Sequence, residues 1–149
     1  MLTDGFFALQ TPGDLLKKLR HDLERCRANP LDTYAAFDFV VTGTQMHEWA
    51  HKHGITERPT DALHQLVFAL CGALGNGAKH FAMRDRRPSG HAIREGGFAA
   101  HAFAAHAFDV GDLVVYLDAR ETEINGAPSI TVLELAAMVV QYWTELLPE

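Results

Sequence analysis

Cysteine is scarce in this chain, with two among 149 residues, Cys26 and Cys71. Two thiols cannot make the framework of a small disulfide-stapled domain. Each falls inside an apolar helical pattern, which reads as a buried small hydrophobe in a reducing compartment. Long hydrophobic runs are lacking as well. No stretch of about 18 uncharged apolar residues occurs, which excludes a membrane-spanning helix. The start, Met1-Leu2-Thr3-Asp4-Gly5, carries neither a basic segment nor an apolar core, so no secretory signal is expected and the location expected is cytoplasmic. Positive charge is short: 13 Lys and Arg face 19 Asp and Glu, a net charge of −6 with histidine neutral. That balance argues against general binding to nucleic acid. With 48% hydrophobic and 21% charged residues, the chain is too apolar to stay disordered over its bulk. Its length fits a single helical domain over residues 1–149.

Two nucleotide-binding patterns are also missing. Gly72 and Gly77 have the spacing of a phosphate loop, but Ala78 stands where lysine is needed and no strong strand precedes them. The dinucleotide pattern starting at Gly75 and Gly77 fails at His80. No serine has the setting of a nucleophile elbow.

Helix signals, by contrast, are plentiful. Thr11 as N-cap, Pro12 at N1 and Asp14 at N3 open a first helix. Its apolar stripe is Leu15, Leu16, Leu19, Leu23 and Cys26, with Lys17, Lys18, Arg20, Arg25 and Arg27 on a solvated basic face. Asn29, Pro30 and Asp32 predict the start of a second helix over Leu31 to His53, stopped by Gly54. That helix is apolar around most of its circumference, as expected of a central helix. Gly43 in its middle predicts close approach of a neighbour. Thr60 is read as the cap of a third helix with the stripe Leu63, Leu66, Val67, Leu70 and Leu74. The segment Gly72–Phe81 is glycine-rich and expected to be tightly packed or broken. Residues 84–90 read as a charged loop. Residues 1–10, apolar but aperiodic, read as a docked arm.

Residues 96–108 repeat with period five: Gly96-Gly-Phe-Ala-Ala, His101-Ala-Phe-Ala-Ala, His106-Ala-Phe. Five fits neither helix nor strand, so an irregular segment is expected, its phenylalanines filling successive gaps. Leu113–Leu117 reads as a strand, and Asn125-Gly126 as a turn closing a hairpin onto it. Thr131 and Glu134 form a T-x-x-E capping box before a last helix. The fold class predicted is mainly α, a four-helix bundle with a small β element and an irregular repeat segment between helices three and four.

Nine histidines raise the question of a metal. His47-Glu48-Trp49-Ala50-His51 is an H-E-x-x-H sequence on a helix. Histidines at i and i+4 share a face and can bind zinc together, with the glutamate as base toward a metal-bound water. Glu57 stands where the longer pattern places its third ligand. Against zinc stand the helices that precede the motif, where zincins have strands, the charged Lys52-His53 after it, and an inward direction for His47. No cofactor is expected, with zinc as the exception to test. The spacing Arg-x4–6-His, which resembles the ribonuclease motif of HEPN domains, occurs at Arg84 or Arg86 with His91, at Arg58 with His64, and at Arg94 with His101.

Three blocks carry a resemblance together. They are Asp32–Thr42 with His47-Glu48-Trp49, then Gly75-Asn-Gly-Ala-Lys-His-Phe81, then the pentad repeats before a helix ending in Tyr142-Trp143. The chain resembles a family of small uncharacterised bacterial proteins with a V-T-A-x-H-x-x-D-W helix, an N-G-x-K-H-F segment and G-Y-F-x-x repeats. It departs from the pattern where His101 and His106 replace glycine and Ala102 and Ala107 replace tyrosine. His51 lies outside the pattern. The resemblance covers most of the chain and implies no mechanism. It directs attention to His47, Glu48, Lys79 and His80, which neighbouring helices would bring together as a polar cluster able to do acid–base work.

The function expected is that of a binding or accessory protein, in a phage or mobile-element setting, whose partner is a small molecule, a protein or a second copy of the chain. The enzymatic alternatives are a metal-dependent hydrolase using the HEWAH motif and a HEPN-like ribonuclease.

Overall fold

The computed structural model describes residues 4–80, 93–95 and 112–148. Five helices and a small sheet follow in the order α1 (Pro12–Ala28), α2 (Thr33–Lys52), α3 (Ala62–His80), β1 (Ile93–Glu95), β2 (Leu113–Tyr116), α4 (Ala119–Asn125), β3 (Ser129–Thr131) and α5 (Val132–Leu146). The chain is thus mainly helical among the described residues. Phe81, the charged loop at 84–90 and the pentad repeats at 96–108 lie outside them.

Local chemistry sets the helix ends. At α1, Thr11 Oγ1 accepts from Asp14 N and Asp14 Oδ2 accepts from Thr11 N, with Pro12 at the first helical position. The same reciprocal box opens α5, between Thr131 and Glu134. Two starts differ from expectation. Asn29 caps the end of α1 instead of opening α2, and Asp32 is the N-cap of α2, accepting from Tyr34 N and Ala35 N. With both helices claiming this short link, α2 begins at Thr33. At α3 the capping carboxylate belongs to Asp61, next to Thr60, and accepts from His64 N. Gly54 ends α2 as expected, at φ +80°.

The pairing of α2 with α3 is legible in its contacts. His47 packs on Phe68, Gly43 faces Cys71, and Gly75 faces Val40 and Thr44, so the two helices run antiparallel. A Cβ at Gly75 would come within 2.6 Å of the Val40 carbonyl oxygen and closer still to the Thr44 side chain. A Cβ at Gly43 would meet Cys71 Sγ at 2.8 Å. These two glycines allow the close crossing that Gly43 suggested, and α3 continues unbroken through its glycines to His80.

α1 pairs with α2 in the same antiparallel sense, through a half-exposed charge network around one buried carboxylate. Asp22 is 1% exposed. Lys18 Nζ donates to Asp22 Oδ2 at 2.6 Å and to Thr42 Oγ1 at 2.9 Å. The Arg25 guanidinium reaches Asp22 Oδ1 at 3.4 Å and Asp38 Oδ2 at 2.6 Å. Lys18 and Arg25 stay partly solvated, as read from the sequence, while their charged ends turn to a buried carboxylate.

The apolar stripes of all four long helices meet in one core that includes Leu19, Phe39, Met46, Val67, Leu70, Leu135, Val139 and Trp143. The sheet has the order β1-β2-β3, antiparallel throughout, with Val115 opposite Ile93 and Ile130. Between β2 and β3 stands α4, which the sequence reading lacked. Asn125-Gly126 does not make a two-residue hairpin turn. Gly126 caps α4 in the left-handed conformation, φ +83°, and β3 then returns to β2. The N-terminal residues differ too. Phe6 and Phe7 point outward, Phe7 being 84% exposed with φ +51°, so residues 4–10 form an exposed hook instead of a docked arm.

Candidate functional site

α2 presents Ala36, Val40, Gly43, His47 and Ala50 on one face, at helical spacing, toward α3 and the core. His47 is the polar member of that face. Its ring centroid lies 4.7 Å from Trp143 and 5.0 Å from Phe68, at interplanar angles of 63° and 61°. Phe68 in turn meets Tyr142 edge-on at 4.9 Å, and Tyr142 lies 6.0 Å from His64. The five rings run from the buried Trp143 outward to half-buried Tyr142 and His64. Each edge-to-face pair brings a positive ring edge to a negative face.

Burial, aided by the positive charge of Arg58, pushes the His47 pKa down to about 4. At neutral pH the ring is uncharged. Around the outer rings sits the loop between α2 and α3. Burial raises the Tyr142 phenol, and Glu57 and Asp61 raise it further against the opposing effect of Arg58. Asp61 is held below the usual carboxylate range by the backbone N–H and then the side chain of His64, whose Nδ1 lies 2.7 Å from Asp61 Oδ2. Beneath the rings, Trp143 is fully buried and its Nε1 has no hydrogen-bond partner among the described residues. An unpaired buried donor costs about 1–3 kcal/mol.

The four residues singled out from the sequence are not brought together. His47 turns inward. Glu48, one residue and about 100° further around the helix, is exposed and pairs with Lys52 at 3.4 Å. Lys79 is exposed near the end of α3. It lies 11 residues beyond Phe68, the partner of His47. At the α-helical rise this is about 16 Å along the axis. His80 is the last residue of α3. The antiparallel pairing carries the glycine-rich end of α3 alongside the first turns of α2, away from His47, so the expected cluster of His47 and Glu48 with Lys79 and His80 does not form.

The HEWAH motif is divided likewise. His47 is committed to the aromatic cluster, while His51 is exposed. Among the described residues no group of three or more His, Cys, Asp or Glu side chains is placed to hold a metal ion. Arg84, Arg86, His91 and His101 lie outside the described residues, which leaves Arg58 and His64 as the HEPN-like pair that can be located. Arg58 is exposed in the loop, and His64 stands in the first turn of α3.

Sequence reasoning missed Asp61 and Tyr142 as parts of this site. Asp61 stands beside Thr60 and is itself a capping residue type, and Tyr142 enters the sequence analysis only as the neighbour of Trp143 at the end of the last helix. Cys26 and Cys71 are both buried and free, as read, and burial first of all pushes their thiols up to about 11 and about 12. No helix among the described residues is long and apolar enough to cross a membrane. No protein-family model matches the chain, and comparison with curated proteins and with solved structures finds no similar protein.

Proposed function

We propose that this chain is a binding or accessory protein whose recognition face is the aromatic cluster shared by α2, α3 and α5, taking a small molecule or a protein partner. The observation that carries this reading is His47, uncharged and wedged between Phe68 and Trp143, with Tyr142 and His64 opening the same cluster to solvent. A histidine whose pKa is near 4 is a weak base and is not in the imidazolium form that serves as a general acid at neutral pH. Cysteines with raised pKa are poor nucleophiles. Rings that meet edge to face under a mixed rim of Glu57, Arg58 and Asp61 suit recognition better than proton transfer. The long helices α1, α2, α3 and α5 fit a four-helix bundle, with this face at one end of the α2–α3 hairpin. The resemblance noted from the sequence adds membership of a small bacterial family, cytoplasmic residence and a phage or mobile-element setting to the proposal, and a homodimer is one form the partner takes.

Ligand-detected NMR with a library of aromatic fragments tests the reading. We expect hits whose binding is lost in Tyr142→Ala. Binding that survives Tyr142→Ala, or a library without hits, contradicts it.

One observation favours an enzymatic reading, a HEPN-like ribonuclease. Asp61 orients the His64 imidazole, and Arg58 stands six residues before it, within the motif spacing. Cleavage of single-stranded RNA that is abolished in His64→Ala would support that reading and displace the first.

A further inference from the structure

On the other flank of α3, a groove of about 380 Å³ opens between its first two turns and α4. This volume falls in the range of small-molecule sites. Its floor is apolar, from Leu66 and Ile124, and its polar lining carries both signs of charge: Asp118, Glu121 and Arg120, with Gln65 on the α3 side.

The acidic side is rigid. Asp118 Oδ1 accepts from Glu121 N at 2.7 Å, and Glu121 Oε1 accepts from Asp118 N at 3.0 Å. Glu121 is only 5% exposed. The reciprocal cap therefore fixes the Asp118 carboxylate from below, and little side-chain entropy is left to lose when it meets a cation. Gln65 is fixed as well, its Nε2 donating to the Pro59 carbonyl at 3.1 Å. The basic side is Arg120, exposed, whose guanidinium takes part in no ion pair with the described residues.

A simple anion entering this groove meets the Asp118 carboxylate, and a simple cation meets Arg120. A molecule that carries both charges, with an apolar arm, meets neither obstacle. We infer that the α3–α4 groove is a binding site for a zwitterionic α-amino acid with an aliphatic side chain. The Asp118 carboxylate takes its ammonium, Arg120 takes its carboxylate in the forked geometry suited to guanidinium, and the side chain lies on Leu66 and Ile124. Glu121 acts as a positioning residue, through Asp118. The inference is independent of the aromatic face, which lies on the opposite flank of α3.

The test is isothermal titration with L-leucine, L-leucinamide and N-acetyl-L-leucine, the last two each lacking one charge. Leucine is expected to bind at millimolar concentration or tighter, and each blocked analogue about tenfold more weakly or worse, the loss of one charge-assisted contact. Arg120→Gln, a change at an exposed position, is expected to weaken leucine by a similar factor at unchanged thermal stability, and Tyr142→Ala to leave it untouched. No heat with leucine, equal binding of leucinamide or of the acetyl derivative, or full affinity in Arg120→Gln would overturn the assignment.

Discussion

At the scale of the residue, two polar groups sit where apolar ones would be expected, and they differ in how they are compensated. The buried Asp22 carboxylate is paired with Lys18 and Arg25. Lys18 and Arg25 each keep about a third of their surface in water, so Asp22→Ala forfeits only its charge-assisted hydrogen bonds and is expected to lower stability by about 1–2 kcal/mol. Urea unfolding measures it, and a loss well below about 1 kcal/mol would show the network to be dispensable. His47 takes the other course and stays neutral. Its folded pKa of about 4 lies below the ordinary 6.5, so below pH 6.5 the unfolded chain binds the proton and the folded one resists it. The stability tied to this ring is full above pH 6.5 and is lost as pH falls toward 4. The half-buried position reduces the effect to the order of 2 kcal/mol. In His47→Phe, which cannot titrate, the loss of stability between pH 6.5 and pH 4 should be smaller by about that amount. Identical pH profiles for the two proteins would remove His47 from the account.

At the scale of the element, the decisive packing is the glycine crossing of α2 on α3. Gly75 faces backbone, the Val40 carbonyl, as well as Thr44. Backbone cannot swing away as a side chain can, so Gly75→Ala should cost about 2–4 kcal/mol. Gly43 faces a side-chain atom, Cys71 Sγ. Gly43→Ala should therefore be substantially rescued by Cys71→Ala, and a double-mutant cycle in chemical denaturation reads the coupling. Additive losses would mean that the sulfur is not the obstacle. The elements themselves were legible wherever their signals are local. Thr11-Pro12-Gly13-Asp14 and Thr131 with Glu134 name their helix starts because the capping bonds join residues three apart. α4 was not legible. It has seven residues, and its end, Asn125-Gly126, reads equally well as a hairpin turn. Its start, Asp118 with Glu121, carries the same capping signal as the longer helices, without an apolar stripe behind it to draw attention.

At the scale of the whole molecule, the face on which a residue sits was easier to read than its neighbour across the fold. The inward direction of His47 followed from one helix alone, from its place beside Val40, Gly43 and Ala50. The partners of His47 required the pairing of two helices and the position of a third. Lys79 joins His47 in the sequence analysis because they lie on helices expected to be neighbours, yet the antiparallel hairpin sends Phe68 to His47 and Lys79 to the far end. The charge network at Asp22 was hidden for a similar reason, since nothing in α1 alone tells a solvated Lys18 from one that reaches Thr42 of α2. The outer surface keeps an apolar stripe on the first half of α2, where Tyr34 is 81% exposed beside exposed Leu31 and Phe37. This stripe is separate from the aromatic face at the other end of the hairpin, and its solubility cost is open to measurement. Tyr34→Lys with Phe37→Glu should leave thermal stability within about 1 kcal/mol, since these rings are not in the core, and a larger drop would show that they support the fold.

The proposed recognition face depends on His47 being uncharged among Phe68 and Trp143. The most direct measurement is an NMR titration of its imidazole resonances in the ligand-free protein, assigned by comparison with His47→Phe. The ring is expected to stay neutral through pH 6 and to take its proton near pH 4. Protonation of His47 at the ordinary value of 6.5 would contradict it.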